Sequence, residues 1–178
     1  MIGRREFLKV GFAGSVLLAC AGKLHAASAT SASNATNPAA GAKAGNDEEA
    51  AMLAAIANAV LVGMLPADAA ARANVLAETA GGVRHAVSGL SLQSQKEVAE
   101  LFALLTLSPS RRLIAGVSSP WGEAAVEDVA AFLESWRRSR FALLQGAYAA
   151  LHDLVLGAWY ARPETWPAIG YPGTPEVF

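Results

Sequence analysis

Residues 121–160 read WGEAAVEDVAAFLESWRRSRFALLQGAYAALHDLVLGAWY. Val126, Val129, Phe132, Leu133 and Trp136 recur at intervals of three and four. Leu144, Ala147, Tyr148, Leu151, Leu154, Val155 and Trp159 carry the stripe onward. An α-helix turns once in about 3.6 residues, so this spacing gathers the apolar side chains on one face. The pattern predicts a long helix with a break or kink near Arg137 to Ser139.

Working outward, Leu92, Val98, Leu101, Phe102, Leu104 and Leu105 predict an apolar face for a helix over Ser91 to Leu107, opposite Gln95, Lys96, Glu97 and Glu100. Ser108-Pro109-Ser110 opens a short helix, RRLIAGV, which ends at Ser118-Ser119-Pro120. Met52, Leu53, Ile56, Val60 and Leu61 predict a helix from Asp47, with Asp47, Glu48 and Glu49 in its first turn, as far as Leu65-Pro66. Asp68 can cap a second helix running to about Thr79, before Gly81-Gly82. Sustained period-two alternation and Asn-Gly or Asp-Gly turns are missing from the sequence. The expectation is a single all-α domain of about five helices over residues 47–178, with an extended C-terminal tail.

The N-terminus has a separate character. Arg4-Arg5-Glu6-Phe7-Leu8-Lys9 precedes the apolar run VGFAGSVLLACAG, and Arg4, Arg5, Phe7, Leu8 and Lys9 match a twin-arginine export signal. The run is well short of the roughly 20 apolar residues of a spanning helix. Cleavage after Ala26 would give a signal peptide of residues 1–26 and a product in the periplasm. Leu17-Leu18-Ala19-Cys20 also matches a lipobox, in which Cys20 would be lipidated and the product anchored; the two readings stand side by side. Residues 27–46, ASATSASNATNPAAGAKAGN, are small and polar, and read as a flexible linker.

Removing residues 1–26 takes away Arg4, Arg5, Lys9, Lys23 and Glu6, which moves the formal charge from −1 to −4. A chain of that balance has no basic surface with which to displace nucleic-acid counterions. Cys20 is the one cysteine, so the sequence offers no intramolecular disulfide, no thiolate metal site and no Cys-x-x-Cys-His haem attachment.

Motifs for chemistry on this chain are weak. Gly-x-Gly-x-x-Gly, the P-loop and Gly-x-Ser-x-Gly are all missing. His85 reads as a loop histidine and His152 as a half-exposed helical one, with Asp153 turned to another side of the helix. Glu134 and Arg138 stand at i,i+4, the spacing of a solvated ion pair. Arg137, Arg138 and Arg140 crowd one turn of the predicted long helix, either as stems packed on an exposed face or as a contact to an acidic partner.

The tail, ARPETWPAIGYPGTP, holds four prolines and two glycines between residues 163 and 175, which predicts an extended, turn-punctuated path. Trp159, Tyr160, Trp166 and Tyr171 fall within 13 residues. Such rings either fold back as a lid on the helical core or anchor an interface.

The stretch LGAWYARPETWPAIGYPGTP resembles the C-terminal signature of the gluconate 2-dehydrogenase subunit 3 family and the related small subunits of FAD-dependent sorbitol dehydrogenases. The aromatic pair, the proline, the tryptophan and the closing Ile-Gly-Tyr-Pro-Gly match in order. FLESWRRSRFALLQGAYAAL is similar to the long helix of that group. The likeness covers about the last 60 residues. It implies a small subunit with no active site and no cofactor or metal of its own. FAD would reside on a large glucose-methanol-choline-type dehydrogenase partner, and haem c on a cytochrome subunit that often completes such complexes. It also implies that the large subunit is carried through the twin-arginine translocase on this chain's signal. The partner interface would draw on Trp159, Tyr160, Trp166, Ile169, Tyr171 and Pro172, with Arg137, Arg138 and Arg140. The complex, or a lipidated Cys20, would hold the chain at the membrane. The alternative is a stand-alone helical lipoprotein with a structural or ligand-binding role; an enzyme using His152, Asp153 or the arginines lacks convergent motifs.

Overall fold

Helix α1 (Pro38–Val60) forms the centre of the protein, with Met52, Leu53, Ile56, Ala57 and the following Leu61 at 0–1% exposure. The computed structural model describes residues 38–173. Packed on α1 are α2 (Ala69–Ser88), α3 (Leu92–Thr106), α4 (Val126–Arg137) and α5 (Ala142–Tyr160). Between α3 and α4 the chain makes a turn at Ser108–Ser110, a π-turn at Arg111–Ala115 and a 3₁₀ turn at Trp121–Glu123. A further 3₁₀ segment, Pro163–Ile169, follows α5. The fold is all-α, with no strand among the described residues. The export signal, Cys20 and the first part of the predicted linker lie outside them.

Helix α1 starts at Pro38, not Asp47. Ala39, Ala40, Ala42 and Ala44 are strong helix formers, and proline is tolerated at a first helical position. The acidic trio therefore stands inside the helix and not in its first turn, and two of its members, Glu48 and Glu49, form ion pairs. Glu49 Oε1 accepts from Arg84 Nε at 2.9 Å, and Glu48 Oε1 accepts from Arg111 Nη1 at 3.0 Å. Arg111 is 4% exposed and its Nε has no partner, so Glu48 is the counter-ion of a cation held out of water.

Asp68 caps α2 as its sequence predicts, its Oδ1 accepting from Ala71 N at 2.8 Å. The helix does not stop at Thr79; it runs through Gly81-Gly82 to Ser88. The reason is tertiary. A Cβ on Gly82 would lie 3.1 Å from Ala158 Cβ, so the glycine lets α2 and α5 cross closely, while Gly81 faces open space. His85 consequently sits in the last turns of α2, exposed, and not in a loop.

Helix α3 begins after its cap Ser91, whose Oγ accepts from Ser94 N at 3.2 Å. Leu101, Phe102 and Leu105 are buried, but Leu92 is 84% exposed. Nine residues separate Leu92 from Leu101, which leaves them about half a turn out of phase on opposite faces. The π-turn closes on Gly116 at φ 70°, a left-handed position suited to glycine. Trp121 Nε1 donates to Leu105 O at 2.9 Å, and the Trp121, Phe132 and Trp136 rings form an aromatic nucleus in the core, Phe132 meeting Trp136 edge-on at 4.7 Å.

The pattern over residues 121–160 is thus a helical pair, not one long helix. Arg138 leaves helical geometry at φ −93°, ψ 5° and ends α4. Ser139 holds the corner, its Oγ accepting from Phe141 N at 3.1 Å and its carbonyl from Gln145 Nε2 at 2.7 Å.

Two stability experiments follow from this packing. Gly81→Ala should raise stability by up to about 1 kcal/mol, because an exposed helical position gains a better helix former. Gly82→Leu should cost about 1–3 kcal/mol through crowding at Ala158. Urea unfolding followed by circular dichroism distinguishes them. Glu48→Ala should cost about 2 kcal/mol by stranding Arg111, and adding Arg111→Met should return part of that loss. A double-mutant cycle showing additive losses would contradict the buried pairing.

Candidate partner interface

Over its described residues, 161–173, the tail is folded rather than extended. Pro163 starts the 3₁₀ segment, where its missing N–H costs nothing, and Gly170 at φ 69° ends it. Thr165 Oγ1 donates to Trp159 O at 3.0 Å, Trp166 Nε1 donates to Tyr160 O at 2.9 Å, and Tyr171 N donates to Trp166 O at 3.1 Å. The Trp166 and Tyr171 rings meet edge-on with centroids 5.2 Å apart, and Gly173 passes beside the Trp166 ring. Arg162 ties the base of the tail to Glu78 of α2.

This geometry divides the expected interface residues. Trp159 belongs to the core at 3% exposure, correcting its assignment to an interface. It continues the inward stripe of Leu151 and Val155, and its Nε1 is buried without a partner. Trp166 is half-buried and serves to fold the tail. Tyr160, Ile169 and Tyr171 remain on the outside at 36%, 49% and 43% exposure, with Pro172 exposed beside them. The tail packs mainly on the C-terminal end of α5, so it caps that end and does not spread as a lid over the core.

The second group lies at the α4–α5 corner. Arg137 ends α4, Arg138 follows it and Arg140 belongs to the turn, so the three do not share one turn of a continuous helix. Glu134 takes Arg137 in a two-point contact, Nε to Oε2 at 2.6 Å and Nη2 to Oε1 at 2.8 Å, and also pairs with Arg138. Arg140 stands over the exposed Phe141 ring at 5.0 Å. Beside this corner a shallow groove of about 200 Å³ runs between Ala59 and Val60 of α1, Ala130, Leu133 and Glu134 of α4, and Tyr148 and His152 of α5. The Tyr148 and His152 rings lie 5.5 Å apart at 30°. His152 Nδ1 is 3.7 Å from Asp153 Oδ1, so these sequence neighbours approach each other more closely than helical spacing suggests.

The arginines lower the Glu134 carboxyl below the usual glutamate value, chiefly through the Arg137 hydrogen bonds; desolvation is the next-largest influence and opposes them, and the charges of Arg137 and Arg138 add to the lowering. The Arg137 guanidinium is raised in turn by Glu134.

Sequence reading found these two surfaces but missed Arg111 and the groove. Arg111 has no local signal, since its counter-ion is distant in sequence, and the groove draws on three helices. Among the described residues no helix is long and apolar enough to cross a membrane. Compared with protein-family models, curated proteins and solved structures, the chain matches none.

A depressed Glu134 pKa means its contribution to stability is fully present above the ordinary glutamate value and fades as pH falls through the lowered folded value. In a carbon-detected NMR titration, Glu134 should titrate lower in the wild type than in Arg137→Ala. An unchanged midpoint in that variant would contradict the two-point contact.

Proposed function

We propose that this chain is the non-catalytic small subunit of an exported flavin-dependent dehydrogenase acting on a sugar, an alcohol or a sugar acid. It binds the large flavoprotein through its C-terminal tail and supplies that partner's twin-arginine signal. The observation that carries the reading is the pairing of a tail folded by Trp166 with an outward apolar set of Tyr160, Ile169 and Tyr171. Large rings held rigidly at a surface lose little conformational entropy on docking, which is why aromatic residues recur as interface anchors. The signature LGAWYARPETWPAIGYPGTP and the RREFLK motif support the same reading. Substrate oxidation and electron transfer would belong to the partners, through FAD on the large subunit and haem c where a cytochrome joins the complex.

The test is purification of the tagged chain from its native membrane and periplasmic fractions, with masses and visible spectra recorded. The expected result is a stoichiometric large chain with flavin absorbance. Ile169→Asp with Tyr171→Ser should weaken its retention by about tenfold or more, without loss of helix content. A colourless, solitary protein would reject the proposal and favour the independent lipoprotein.

A further inference from the structure

The direction of the tail is set at one residue. Ala161 keeps helical geometry, Arg162 is extended at φ −101°, ψ 116°, and Pro163 begins the 3₁₀ segment. A residue before proline is held out of the helical region, so the chain turns at Arg162. Beyond the turn, Thr165 and Trp166 donate to the carbonyls of Trp159 and Tyr160. These acceptors are consecutive residues in the last turn of α5 and lie close together. Two bonds to adjacent points hold a folded segment at the helix end, yet they let it rock about the line that joins them. Fixing its angle takes a third attachment off that line.

Arg162 supplies that attachment. Its Nη2 pairs with Glu78 on α2, a helix that the close crossing of Gly82 and Ala158 brings alongside. The guanidinium is drawn into this junction: the Arg162 side chain is 24% exposed, and its Nη1 is buried with no hydrogen-bond partner among the described residues. Glu164, within the tail itself, stands farther off, its Oε2 4.0 Å from Arg162 Nε. A partly buried cation with an unmade bond is costly unless a counter-ion holds it, so Glu78 has more effect here than a partner in a solvated pair would. Among the described residues no other ion pair joins α2 to the tail.

We infer that Arg162 and Glu78 are a positioning pair for docking. Tyr160 is fixed on α5, whereas Ile169 and Tyr171 travel with the tail. The pair sets where those two stand relative to Tyr160, so that all three meet one partner surface together. The inference rests on the small-subunit reading and adds to it two residues that act through the tail. A docking set held at its binding angle avoids the ordering cost that a rocking one incurs.

Two measurements on the full chain test this. In the first, Glu78→Gln and Arg162→Gln should each weaken retention of the flavoprotein by about tenfold, the loss expected if the tail keeps its docking angle about a tenth of the time. Helix content should be unchanged, and the double variant should fall no further than either single one, because the same pair is lost in all three. In the second, residual dipolar couplings of the amides of α2, α5 and the tail should fit one common frame in the wild type. In Glu78→Gln the tail couplings should shrink while those of α2 and α5 persist. Ile169→Asp should lose retention with the common frame intact, which separates touching the partner from aiming the tail. Full retention in Glu78→Gln, additive losses, or tail couplings indifferent to Glu78 would overturn the inference. A wild-type chain that retains no flavoprotein would instead reject the small-subunit reading, and the docking role of the pair with it.

Discussion

The structure depends on the burial of α1. Met52, Leu53, Ile56, Ala57 and Leu61 leave almost no surface to water, and Ala51, Ala54, Ala55 and Ala59 also pack against the core. Small side chains along a helix let neighbours approach from several directions. A helix covered on several sides cannot stand alone in water, so the other four long helices take their places from it. Fully burying each large aliphatic side chain contributes about 1.5–3 kcal/mol, far more than any exposed ion pair here.

This arrangement has consequences at both surfaces. Glu48 and Glu49, on the N-terminal half of α1, fix Arg111 of the π-turn and Arg84 of α2. At the other end, Ala59 and Val60 form one wall of the groove. The close crossing at Gly82 and Ala158 brings the end of α5 against α2, where Glu78 can hold Arg162 and so direct the tail. Groove and tail share α5, since His152 and Tyr160 are separated by about 12 Å along its axis. One rigid helix therefore carries both surfaces.

What could be read in the sequence was what short-range periodicity encodes. The all-α class, the cap at Asp68, the helix after Ser91, the break near Ser139 and the core stripe of α4 all rest on residues within a few turns of one another. The misreadings had two sources, packing against distant residues and local bonds that composition does not reveal. Gly81-Gly82 has the local chemistry of a helix end, yet Ala158, distant in sequence, makes the second glycine useful inside a helix. Trp159 looked like an interface anchor because its neighbours are prolines and aromatic residues, but its phase with Leu151 and Val155 turns it inward. The prolines of the tail suggested an extended path, and hydrogen bonds from Thr165 and Trp166 fold it instead. The division of Tyr160, Ile169 and Tyr171 from Trp159 and Trp166 required coordinates, since composition does not distinguish a ring that folds a tail from one displayed by it.

We propose, above all, that this chain carries a folded, flavin-loaded partner out of the cytoplasm. The most direct test is to replace Arg4 and Arg5 with lysine in the native host and follow the proposed flavoprotein partner by cell fractionation and flavin fluorescence. The account predicts that the flavoprotein stays in the cytoplasm, folded and flavin-loaded, while its synthesis is unchanged. A flavoprotein that still reaches the periplasm in normal amount would contradict it.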